Sequence, residues 1–105
     1  MELAPEIEMK RNKLAELCKK YKVSRLFVFG SMANGNFNSG QSDVDLIAEI
    51  DEENPVAKGE TIMSLWTELE NLFSRKVDLV TGEVRNPYLK KQIEATKQII
   101  YDAAV

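Results

Sequence analysis

Histidine is absent from this chain. Its absence excludes His-ligated zinc sites and any Ser-His-Asp triad. Cysteine occurs once, as Cys18, so no internal disulfide can form. Apolar runs are short. None approaches the roughly 20 residues needed to cross a bilayer. The first residues, Met-Glu-Leu-Ala-Pro-Glu-Ile-Glu, also lack the apolar core of a signal peptide. A cytoplasmic chain with no membrane partner is the expectation. Positive charge is scarce, with 14 Lys and Arg against 17 Asp and Glu. The formal net charge of −3 argues against nonspecific binding to long nucleic acid, which requires a basic face. With 105 residues, 44% of them hydrophobic, the chain can bury one small core. It carries no internal repeat and no dividing linker, so residues 1–105 read as a single domain.

What the chain does have is concentrated between Phe29 and Leu46: Phe-Gly-Ser-Met-Ala-Asn-Gly-Asn-Phe-Asn-Ser-Gly-Gln-Ser-Asp-Val-Asp-Leu. The preceding run, Arg25-Leu26-Phe27-Val28-Phe29, is rich in strand formers. A second apolar run, with Val44, Leu46, Ile47 and Ile50, follows. Asp43 and Asp45 stand where that second strand begins. On a strand, residues i and i+2 share a face, with Cα atoms roughly 6.5 Å apart. Two like charges so close destabilise each other unless a cation sits between them. A hard divalent ion with oxygen ligands, Mg²⁺, is the simplest reading. Gly30-Ser31 follows the first strand directly. Glycine there permits a sharp turn and a close approach to the backbone. Free N–H groups and the Ser31 hydroxyl on a helical turn suit phosphate oxygens. Phosphate donors beside a metal make a nucleoside triphosphate the natural guest.

Taken in order, the chain predicts a helix from about Pro5 to Tyr21. Leu14, Leu17, Cys18 and Tyr21 form its apolar stripe, and Lys10, Arg11, Lys13, Lys19 and Lys20 its solvated face. Cys18 is read as a core residue. Strands are expected at Val23–Phe29, Val44–Ile50 and Lys76–Val80. A helical turn is expected at Met32–Gly35 and a loop at Asn36–Gln41. Asp51 to Pro55 reads as a solvated turn. Val56–Ser74 has helical periodicity, with Trp66 in the apolar stripe rather than serving as a base-stacking platform. Asp78 interrupts the apolar Val77, Leu79 and Val80. It is either an outward-facing strand residue or a third carboxylate beside Asp43 and Asp45. Asn86-Pro87 begins a last helix, as cap and first position. Tyr88, Leu89, Gln92, Ile93, Thr96, Ile99 and Ile100 form its inner face, and the 103–105 tail is expected to fray.

Gly30-Ser31, Gly35 and Ser42-Asp43-Val44-Asp45-Leu46 together resemble the signature of the DNA polymerase beta-like nucleotidyltransferase superfamily. Within it the chain most resembles the minimal nucleotidyltransferases, single-domain proteins often encoded beside a HEPN-domain partner. The resemblance runs from about Leu14 to Tyr101. It implies an α/β (α+β) fold, a small mixed sheet of three to four strands packed against helices. It implies that Asp78 completes a triad with Asp43 and Asp45. The triad would hold two Mg²⁺ ions, and Gly30, Ser31 and Ser42 would serve the nucleotide. The implied activity is transfer of a nucleoside monophosphate, AMP from ATP, to a partner's hydroxyl. The implied partner is a HEPN-type toxin, with this chain as antitoxin.

Two residues depart from the pattern. Close relatives often carry arginine where this chain has Met32 and Asn34, which removes cations that would offset triphosphate charge. The departures keep a second reading open, a module that neutralises its partner by contact with little or no catalysis. A third, transfer to a small molecule such as an antibiotic, is disfavoured because no acceptor domain is attached. A homo-oligomer is compatible with everything above.

Overall fold

The computed structural model describes residues 5–30, 33, 43–82 and 84–104. The expected turn at Met32–Gly35 and the loop at Asn36–Gln41 lie outside these, apart from Ala33. The elements run α1 (Pro5–Met9), α2 (Arg11–Lys20), β1 (Val23–Phe29), β2 (Val44–Ile50), α3 (Pro55–Phe73), β3 (Val77–Val80), α4 (Pro87–Thr96) and β4 (Gln98–Asp102). The strands form one mixed sheet in the order β3-β2-β1-β4. β1 pairs antiparallel with both β2 and β4, while β2 and β3 run parallel. A parallel pair requires a long crossover, and α3 supplies it. The mixed α/β architecture agrees with the expectation.

Burial along β2 alternates strictly: Val44, Leu46, Ala48 and Ile50 are buried while Asp45, Ile47 and Glu49 are partly exposed. The period of two puts the buried set on one face, under the helices. There they cluster with Ile7, Leu14 and Cys18 from α1 and α2, and with Leu65, Leu69 and Phe73 from α3. Burial pushes the Cys18 thiol up to about 12, so it stays protonated and acts as a small core residue. Phe29 and Ile93 are buried outside this cluster. The opposite face of the sheet is where Asp45 points.

Three expectations are corrected. The first helix is two helices, broken at Lys10, whose N–H lies 3.2 Å from both the Glu6 and Ile7 carbonyls. The break turns α1 so that Ile7 enters the core and Glu6 meets Arg75 at 3.1 Å. The last helix stops at Thr96, and Ile99 and Ile100 belong to β4. Of its expected inner face, Leu89 and Ile93 turn inward, while Tyr88 is 86% exposed and Gln92 is exposed as well. The tail is held as far as Ala104: Ala103 N–H donates to the Ser24 carbonyl at 2.9 Å, and Ala104 N–H to Asp102 Oδ1 at 2.9 Å.

α3 and α4 begin alike, each with an Asn cap followed by Pro. Asn54 Oδ1 accepts from Val56 N–H at 3.0 Å and Ala57 N–H at 3.1 Å. Asn86 Oδ1 accepts from Tyr88 N–H at 2.9 Å and Leu89 N–H at 3.2 Å. Each cap satisfies donors that the first helical turn leaves open. Asn54→Ala is expected to lower unfolding free energy by about 1 kcal/mol in a urea titration. Unchanged stability would show that this cap contributes nothing.

Candidate active site

The end of β1 and the starts of β2 and β3 meet on the face opposite the main core. Across the sheet, Phe29 pairs with Asp45, and Asp45 pairs in parallel register with Asp78. Directly paired residues point to the same face. Asp78 is therefore a neighbour of Asp45, exposed on that face. Asp43 stands just before β2 and is also exposed. Two of the three carboxylates are thus side by side, with the third two residues away along the same strand direction.

Asp45 is half-buried, and its carboxyl is pushed up to about 6. Burial is the largest cause, followed by the charge of Asp78 and then that of Asp43. Each of the other two acids therefore acts on Asp45 electrostatically, as like charges in one place must. They are not, however, drawn into a finished cage. Among the described residues no three His, Cys, Asp or Glu side chains are gathered so as to hold a metal ion. Asp43 and Asp78 both face water. The donor set still suits a hard divalent cation, being made of carboxylate oxygens alone, with closely spaced charges for a cation to offset.

Gly30 closes the site on the β1 side. Its φ is +73°, in the left-handed region that L side chains rarely adopt. A Cβ built there would stand 2.7 Å from Asp45 Oδ2. The glycine suits the backbone conformation, and its missing Cβ leaves the space that Asp45 Oδ2 occupies. Its N–H donates to Thr96 Oγ1 at 3.0 Å. Its carbonyl accepts from Ala33 N–H at 3.1 Å. The Gln98 side-chain amide donates to the Ala33 carbonyl. Thr96 and Gln98, at the junction of α4 and β4, thus hold Gly30 and Ala33 beyond the end of β1. No local pattern marks either one, since their partners lie 66 and 65 residues away. Ser31 and Ser42, with Met32 and Asn34, lie outside the described residues.

A model of the family described as polymerase beta, nucleotidyltransferase, matches residues 12–104. The chain belongs to the polymerase beta nucleotidyltransferase family. A Methanocaldococcus jannaschii relative named as a protein adenylyltransferase is 40% identical over 97 residues, covering 91% of each chain. A second so named from the same organism is 37% identical over 95 residues, covering 90% of this chain and 91% of its own. Among solved structures, a minimal nucleotidyltransferase superposes with a TM-score of 0.70 at 26% identity, over 92% of this chain and 95% of that one. A structure of the tri-AMPylated Shewanella oneidensis HEPN toxin with its MNT antitoxin shares the fold, with a TM-score of 0.56 at 20% identity. That match covers 93% of this chain and 74% of the other. Among the described residues of this family member, no helix is long and apolar enough to cross a membrane.

Proposed function

We propose that this nucleotidyltransferase, as a single minimal domain, moves AMP from ATP to a hydroxyl of a partner protein. The partner is a HEPN-type toxin, which the transfer neutralises. The observation that carries the reading is the in-register pairing of Asp45 with Asp78, beside a glycine whose missing side chain leaves room for the Asp45 carboxylate. The relatives named as protein adenylyltransferases support AMP as the group and protein as the acceptor.

In this reading the acceptor hydroxyl oxygen forms a bond to the α-phosphorus. The bond from that phosphorus to its bridging β-phosphate oxygen breaks, and pyrophosphate leaves. The hydroxyl proton passes to a carboxylate, and Asp78, exposed at the rim, is suited to take it. Ser31 would donate to the terminal phosphates, Gly30, whose own N–H is held by Thr96 Oγ1 at 3.0 Å, would let them approach the backbone, and Ser42 would orient the loop. Asp43, Asp45 and Asp78 would hold one or two Mg²⁺ ions, which supply charge neutralisation for the triphosphate and polarisation of the α-phosphate.

Incubating the protein with its HEPN partner, Mg²⁺ and α-labelled ATP should label the partner. Asp43→Ala with Asp45→Ala should abolish the labelling. Label that survives both changes would overturn the assignment. Met32 and Asn34, uncharged where the resemblance leads arginine to be expected, favour one other reading, neutralisation by contact alone. It predicts full protection of cells by the unlabelling double variant.

A further inference from the structure

β3 is four residues long and forms one edge of the sheet. An edge strand so short has few ladder bonds to hold its register. The ladder to β2 uses the Lys76 carbonyl, which accepts from Val44 N–H at 3.1 Å. Alternation then turns both backbone groups of Val77 outward, away from β2. Neither is left to water. Trp66 Nε1 donates to the Val77 carbonyl at 2.8 Å. Glu70 Oε2 accepts from Val77 N–H at 3.1 Å. Trp66 and Glu70 are one turn apart on α3, so they reach the strand from the same side of the helix.

We propose that Trp66 and Glu70 are positioning residues: by clamping both outward backbone groups of Val77, they hold the next residue, Asp78, in register opposite Asp45. The relevance of that register to transfer rests on the function proposed above. The clamp acts on the one strand where a slip would matter most. A shift of one residue would turn Asp78 toward the apolar core and bring Val77 or Leu79 to the face where Asp45 points. The indole has a second consequence. It walls, with Ile62, Lys76 and Leu79, an open cleft of about 240 Å³ that reaches Asp78. Movement of Trp66 would thus alter both the strand and the approach to its carboxylate.

The test uses Trp66→Phe, which keeps a ring and loses the donor, and Glu70→Leu, which loses the acceptor. Glu70→Gln keeps an acceptor oxygen. Partner labelling is followed at a temperature where circular dichroism shows every variant folded. Trp66→Phe and Glu70→Leu should each lower kcat about 10- to 100-fold, as expected when a reacting group is displaced by about an ångström. KM for ATP should change less than about twofold, and Glu70→Gln should recover most of the rate. Amide exchange gives a readout independent of activity. In both damaging variants Asp78 and Val80 should lose protection while β1 keeps its own. Wild-type kcat in Trp66→Phe and Glu70→Leu, or protection lost evenly across the sheet, would overturn the proposal. Should the wild-type protein label nothing, the transfer reading falls, and the exchange pattern alone decides whether the clamp exists.

Discussion

Asp45→Asn is expected to make the protein more stable at pH 7 while lowering partner labelling by about a hundred- to a thousand-fold. The two effects have one cause. The Asp45 carboxyl, half-buried and next to Asp78 and Asp43, sits at about 6 instead of its ordinary 3.8. In the unfolded chain it loses its proton first as pH rises. Below pH 4 both states are protonated and the site costs nothing. Between about pH 4 and pH 6 the unfolded state is favoured progressively, and above pH 6 the full penalty applies. Because much of the carboxyl still faces water, the penalty comes to about 1 kcal/mol. For a domain of this size that corresponds to roughly 4–8 °C in Tm. The amide has no charge to desolvate, so the variant should melt higher than wild type at pH 7 and alike at pH 4. Mg²⁺ should raise the wild-type Tm and leave that of the variant nearly unmoved, because a cation that binds only the folded state stabilises it. Melting curves at the two pH values in EDTA, then with Mg²⁺, check each part. A variant less stable than wild type at pH 7 would show that Asp45 stabilises the fold, contrary to its raised titration.

The residues that the sequence made legible are those with local causes. β1 and β2 have the expected bounds because apolar alternation and the flanking polar loop both mark them. The Asn86-Pro87 start of α4 follows from side-chain capping within three residues. The spacing of Asp43 and Asp45 places them at the start of β2, where the structure has them. What escaped has its cause elsewhere in the chain. Lys10 breaks the first helix, and its ammonium donates to the Leu72 carbonyl 62 residues away at 2.5 Å. Ile99 and Ile100 fit the helical stripe of Ile93 and Thr96 as well as they fit a strand. The outcome is decided by the open edge of β1, against which Phe27 pairs with Ile99. A nonlocal partner overrides a local period in both cases. Asp78 is intermediate. Its two candidate orientations were visible in the sequence, but only the β2–β3 register places it opposite Asp45.

Gly30→Ala should cost both stability and activity, and the reason can be divided experimentally. At φ +73° any L residue carries left-handed strain of about 1–2 kcal/mol. The added methyl would also stand 2.7 Å from Asp45 Oδ2, closer than nonbonded atoms tolerate, so the carboxylate must move. The same methyl would stand 3.9 Å from Asp45 Cβ, an ordinary van der Waals contact. Removing the carboxylate should therefore remove the clash and leave the strain. We expect Gly30→Ala to destabilise by about 2–4 kcal/mol in the wild-type background and by only about 1–2 kcal/mol in Asp45→Ala, a non-additivity read from urea titrations of the four proteins. Labelling by Gly30→Ala should fall about a hundred-fold, because the side chain displaced is the one that would ligate the cation. Equal costs in the two backgrounds would mean that the carboxylate yields freely. The glycine would then serve backbone conformation alone, and Asp45 would not be held by its surroundings where the transfer chemistry needs it.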